Sequence, residues 1–182
     1  MTYYITKWTP AGIITGTGST PDGTIPQGAI VCTEEQAKNA SQYVVDTSTT
    51  PPTVVNAPSA VLLAQAQASQ IALLQSAFEK AEQAPVSLTL ASGVMTSFGM
   101  SSHDWTKIVG LYSKYVVKGD PIPSNYQLPD VNMVLRTVTK VDIDNLFEAG
   151  KAQIDNAASK LASLLESVNT ATTVEAVKAI NW

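Results

Sequence analysis

The chain is poor in the residues that build reactive centres. Cys32 is its one cysteine and His103 its one histidine. A single cysteine excludes an internal disulfide framework and any zinc site built on several thiolates, and it suits a reducing compartment. Charge is scarce too: the formal net charge is −4 and Lys and Arg are scattered. No basic face for a phosphate backbone can be assembled from them, so nucleic-acid binding is not expected. No apolar run reaches the eighteen or so residues needed to span a bilayer. The opening MTYYITKW has neither a charged n-region nor an apolar h-region, so no signal peptide is expected.

Charge is missing altogether from Thr47 to Phe78. The first part of that stretch, STTPPTVVNAP, reads as a Thr/Pro linker over 47–58, held extended by its prolines. The second part opens a helix over Ser59–Gln83. Along it Ala60, Ala64, Gln67, Ile71, Leu74, Phe78 and Ala81 alternate four and three and form one stripe. A free surface helix normally carries charge. This one therefore either packs within its own domain or serves as a self-associating seam, in which a polar position sets register. Taken as an association helix, its candidate interface residues are Ala64, Gln67, Ile71, Leu74 and Phe78.

Before the linker, residues 1–46 read as a β-rich attachment module. Strands are expected over Tyr3–Thr9, Ile13–Thr17, Ala29–Cys32 and Tyr43–Asp46, with a turn at Pro21-Asp22-Gly23 and a short helix from Thr33 to Ala40. Tyr3, Tyr4 and Trp8 form either a small β core, a partner interface or a sugar-binding patch. The first two explanations are preferred.

After the helix, Val86, Leu88 and Leu90 alternate with polar residues and Val94–Phe98 returns, which predicts a hairpin turning at Gly93. Ser101 and Asp104 resemble a helix start. Trp105, Ile108, Tyr112, Tyr115 and Val116 then follow at helical spacing up to Gly119, Pro121 and Pro123. Val131–Val138 reads as one further strand. Thr139 with Asp142 has the form of a capping box, and Ile143, Phe147, Gly150, Ile154, Ala157, Leu161, Leu164 and Val168 make a long helical stripe. A last helix starts at Thr172–Glu175, and Trp182 is expected to fill a gap between the final two helices. The fold class is α+β: a small β-rich N-terminal module, a long Ala/Gln-rich helix and a ββ-α-β-α-α domain over 84–182. No internal repeat of fixed period is evident.

Motifs with chemical potential are few. Ser101-Ser102-His103-Asp104 holds triad residue types, but neighbours at a helix start diverge, and a triad needs a relay converging in space. Capping accounts for Ser101 and Asp104. Asp142 and Asp144 also diverge on a helix, and no ligand spacing for a metal appears. Gly16-Thr17-Gly18-Ser19 lacks the Lys-Ser/Thr of a phosphate loop. A hydrolase would need a carboxylate pair in a cleft, and none is evident. No catalytic, cofactor or metal residue is expected.

Three segments carry a resemblance: APVSLTLASGVMTSFGMSSHDW (Ala84–Trp105), YQLPDVNMVLRTVTKVDIDNLFEAGKAQID (Tyr126–Asp155) and ATTVEAVKAINW (Ala171–Trp182). In that order, from Leu74 to Trp182, they resemble a small domain of unassigned function in tailed-phage tail-fibre and tail-fibre-assembly proteins. Many members open the late strand with Trp, where Tyr126 and Leu128 stand here. Residues 1–46 more loosely resemble amino-terminal modules of short phage tail proteins. The resemblance implies a non-enzymatic virion tail component, part of or attached to the fibre and baseplate apparatus. Its expected partners are fibre or baseplate proteins and copies of itself, as a homo-oligomer, with a trimer as the form a fibre would match. The alternative is a fibre-assembly chaperone of the host cytoplasm, absent from the mature particle.

Overall fold

A computed structural model describes every residue from Met1 to Trp182 and shows an α+β protein. The chain divides into two compact units, Met1–Ala68 with Thr172–Glu175, and Ser69–Ala171 with Ala176–Trp182.

In the first unit, β1 (Thr2–Trp8) is the centre of an antiparallel sheet of order β2-β1-β3, flanked by β2 (Ile14–Thr20) and β3 (Ile30–Cys32). Ile5 on the central strand is fully buried. Thr33 starts α1 (Glu34–Lys38) with a complete capping box: its hydroxyl accepts from Gln36 N–H, and the Gln36 side chain accepts from Thr33 N–H. A 3₁₀ turn, Ala40–Gln42, then leads into β4 (Tyr43–Asp46). A glycine is required at Gly12. Its φ is +81°, and a Cβ there would lie 2.4 Å from the Val45 carbonyl oxygen. That close approach lets Val45 N–H donate to Gly12 O at 2.8 Å, which ties the first sheet to β4.

The segment read as a Thr/Pro linker is corrected here. Thr53–Asn56 forms β5, paired antiparallel with β4 from Tyr43↔Asn56 to Asp46↔Thr53. Ala57 N–H continues the pairing by donating to Gln42 O at 2.8 Å. The physical reason lies in where the prolines fall. Pro51 and Pro52 precede the strand and Pro58 follows it, so none removes a ladder donor, while Val54 and Val55 suit a pleated surface. Residues 47–58 are thus part of the first unit and do not separate it from a following domain.

The long helix α2 (Ser59–Glu82) matches the expected bounds to within one residue. Its residues up to Ala68 belong to the first unit and those from Ser69 to the second.

The second unit contains hairpin β6 (Val86–Thr89) and β7 (Met95–Phe98), helix α3 (Ser102–Leu111), a π-helical turn over Tyr112–Val117, hairpin β8 (Gln127–Pro129) and β9 (Leu135–Thr137), α4 (Lys140–Thr170) and, from Ala176 on, α5 (Val174–Lys178). The late strand expected over Val131–Val138 is therefore a second hairpin, and the order is ββ-α-ββ-α-α. Asp130 closes its turn by accepting at Oδ1 from Asn132 N–H and Val134 N–H, and Met133 takes a left-handed φ of 62°. The alternating apolar letters of 131–138 span the turn as well as β9, which is why they read as one strand.

One hydrophobic core runs through this unit, with Val86, Leu90 and Phe98 of the first hairpin, Ile108, Leu128 and Val138 packed with Ile143 and Leu146 of α4. The eight stripe positions of α4 are all buried or half-buried, as the spacing predicts. Phe147 is stacked between Trp105 and Tyr112, with ring centroids 5.4 and 3.8 Å away.

Candidate interaction surface

The expected seam on α2 is covered at its centre by the protein's own chain, with Leu74 buried, Gln67, Ile71 and Phe78 half-buried and Ala64 exposed. Leu74 is 1% exposed. One turn earlier Gln70 is buried, and its Nε2 donates to the Ile180 carbonyl at 2.6 Å. Phe78 meets the edge of Trp182 at 6.4 Å between ring centroids, and Lys160 Nζ of α4 lies 4.9 Å from the Trp182 ring centroid. Trp182 therefore packs against Phe78 of α2 and under Lys160 of α4. At the end of α2, Gln153 Nε2 lies within 2.7–3.2 Å of three carbonyls, those of Ala81, Glu82 and Ala84, and so satisfies orphan acceptors of the helix terminus.

Leu74 therefore packs within the second unit and Phe78 packs on Trp182, as the packing alternative expects, while Ile71 is half-buried. Within the second unit, Gln70 and Phe78 on this stripe's side of α2 meet Ile180 and Trp182. Gln67 is half-buried. Ala64 lies in the first unit, in a shallow open groove of about 360 Å³ shared with Ile13, Ala60, Val61, Gln65 and Ala68.

The three N-terminal aromatics do not all lie on one face of β1. Tyr3 is hydrogen-bonded to Glu34, which raises its hydroxyl above the usual range. Tyr4 packs so tightly on β2 that a Cβ at Gly18 would lie 2.5 Å from its ring. Trp8 borders an open groove of about 590 Å³ with Gly28, Ala29, Ile30, Val31, Pro51 and Pro52. Adjacent strand residues point to opposite faces, so Tyr3 and Tyr4 do not share one patch.

The residues with triad potential are occupied in a cap. Ser101 Oγ accepts from Asp104 N–H at 3.3 Å and donates to Asp104 Oδ2 at 2.6 Å, while His103 is exposed. No group of three or more His, Cys, Asp or Glu side chains converges on one point, and no helix is long and apolar enough to cross a membrane.

Large apolar side chains of the second unit are exposed at Leu73, Val109, Val117 and Val141 and on its two hairpins. On the hairpins they are Val94 and Met95 on the first, and Val131, Met133, Val134 and Leu135 on the second. The second hairpin is held by Asp130. Besides the two turn N–H groups, its carboxylate accepts at Oδ2 from Thr96 Oγ1 at 3.0 Å and Arg136 Nε at 2.9 Å. Burial pushes this carboxyl up, but Arg136, the two N–H groups and the Thr96 hydroxyl outweigh it and hold it down at about 2. Asp142, also buried, accepts from Ala91 N–H at 2.7 Å and from the N–H and hydroxyl of Thr139. Two buried carboxylates thus fix the turns that present the apolar residues.

Sequence reasoning treated these residues as strand and missed their exposure. The available signal was the likeness of Leu88–Phe98 to Leu128–Val138. Comparison with protein-family models, curated proteins and solved structures gave no match.

Proposed function

We propose that this protein is a structural component of a phage tail, part of or attached to the fibre and baseplate apparatus, and that it works by protein–protein contact without chemistry of its own. Two things support the reading. One is the resemblance of Leu74–Trp182 to tail-fibre-associated domains. The other, which carries the contact-based mechanism, is the set of large apolar side chains held out on two braced hairpins. A monomer gains nothing by exposing Met95, Met133 and Leu135 on turns whose backbone is pinned by buried carboxylates. Large exposed apolar patches mark surfaces that other molecules cover. The α2 seam has no part in this reading, because its central residues are already covered.

The test is mass spectrometry of purified particles of the phage that encodes the chain. The reading expects the protein at a defined copy number relative to the tail proteins. Its absence from particles, together with its presence beside the fibre protein in infected cells, would replace this reading with that of an assembly chaperone.

A further inference from the structure

The fold sorts the chain's four methionines into two kinds. Met100 is 2% exposed and belongs to the core of the second unit. Its thioether lies against the bare backbone of Gly150 in α4, where a Cβ would come within 2.4 Å of Met100 Cε and 3.3 Å of its Sδ. Met95 and Met133 are 76% and 79% exposed, one at the turn end of each hairpin. Met1 is open as well, at 77%.

A thioether reacts with a peroxide by a two-electron transfer. The sulfur lone pair attacks one peroxide oxygen, the O–O bond breaks and an S–O bond forms. Sulfur is oxidised to the sulfoxide, and hydrogen peroxide is reduced to water, which keeps both its protons. Access of the oxidant to sulfur decides where this happens. At Met100 the closed core bars it, and the new oxygen would bring a strong acceptor into apolar surroundings. At Met95 and Met133 the oxygen is added in water.

We propose that Met95 and Met133 are reversible oxidation sites, whose modification by a peroxide changes the surface of both hairpins and leaves the fold intact. Neither thioether takes part in holding its hairpin. Met95 alternates with the buried Thr96, so its side chain leaves the opposite face of β7. Met133 serves its turn through the backbone, with a φ of 62° and an N–H that donates to Asp130 O at 2.9 Å. The braces that fix the turns run from Asp130 to Thr96 and Arg136 and from Asp142 to Ala91 N–H, and use no sulfur. Oxidation therefore exchanges a flexible apolar side chain for a polar one on each hairpin while every one of these bonds stands. Its effect on a bound partner rests on the contact-based reading above; the oxidation itself does not.

The test is a time course of the full chain in hydrogen peroxide, read by peptide mass spectrometry. Met95 and Met133 should each gain one oxygen at a rate near that of Met1 and about tenfold or more above that of Met100, whose sulfur is reached only when the unit opens. With both oxidised, the circular dichroism spectrum and the urea midpoint should be unchanged. The two methionine sulfoxide reductases, one for each epimer, should remove both oxygens. A Met95→Leu/Met133→Leu variant should fold and lose these two additions alone. Oxidation of Met95 or Met133 as slow as that of Met100, a urea midpoint that falls when only these two are oxidised, or sulfoxides that the reductases cannot remove from the folded chain overturns the proposal. Repeating the time course on particles that contain the protein separates the two readings. Unslowed oxidation there refutes contact through the hairpins and leaves the oxidation sites standing.

Discussion

Leu74 and its neighbour Leu73 offer a clean discrimination between a packing helix and an association helix. Leu74 is 1% exposed and sits one turn after Gln70, under the Ile180–Trp182 segment, whereas Leu73 is 63% exposed. Leu74→Ala removes three buried carbons and leaves a cavity between α2 and rigid neighbours. Such changes cost about 2–5 kcal/mol, and full burial on a helix tied at both ends places this one near 3. For a domain of this size each kcal/mol lowers Tm by about 4–8 °C, so a fall of roughly 12–24 °C is expected for the second unit. Leu73→Ala should stay within about 0.5 kcal/mol of wild type. Urea unfolding followed by tryptophan emission reads the change, because Trp105 and Trp182 both report on this unit. The midpoint difference should be independent of protein concentration, as an intramolecular contact requires. If Leu74→Ala unfolds with the wild-type midpoint, or its cost appears only as a shift in oligomeric state, the helix stripe faces another chain and the packing argument is wrong.

Two further predictions follow from the buried polar groups. Asp130 is held at about 2 in the folded protein against an unfolded carboxyl near 3.9. Its stabilisation is thus complete above the unfolded value and is lost as pH falls from about 5 towards 2; Asp130→Asn should remove this acid-side slope in urea midpoints measured across that range. Gln153→Leu should strip three carbonyls of their shared donor and cost about 1–2 kcal/mol, seen as faster amide exchange at the end of α2.

The local signals in the sequence were the dependable ones. Thr139 with Asp142 announced α4, and Ser101 with Asp104 announced α3, because a cap is an interaction between residues three apart. The bounds of α2 and the stripe of α4 were legible for the same reason: helical periodicity needs no knowledge of what lies opposite. What covers a stripe is a different matter. Leu74 and Phe78 have the same pattern whether they meet Trp182 of their own chain or another copy, so the seam was legible as apolar and illegible as occupied. The prolines around Thr53–Asn56 concealed β5, since its pairing with β4 depends on which N–H groups face the partner strand. The second hairpin was concealed by Met133, a residue without the usual mark of a left-handed turn, where Gly93 marks the equivalent position openly. In the candidate surface, Asp130 looked like an ordinary turn residue; its bonds to Thr96 and Arg136 exist only in three dimensions.

The bond from Gln70 to Ile180 joins residues 110 positions apart, and that separation bears on how the chain is made. A ribosome delivers α2 long before residues 180–182, at about 5–20 residues per second. For those several seconds the stripe around Leu74 has nothing to lie under, and the Gln70 amide has only water. Closing so long a span carries an entropic cost that grows with the logarithm of its length, so docking of Ile180–Trp182 comes late. The newborn protein therefore passes through an interval in which the helix is sticky and the finished one is not. In a crowded polysome, where sister chains emerge side by side, that interval is when an uncovered stripe meets its own kind.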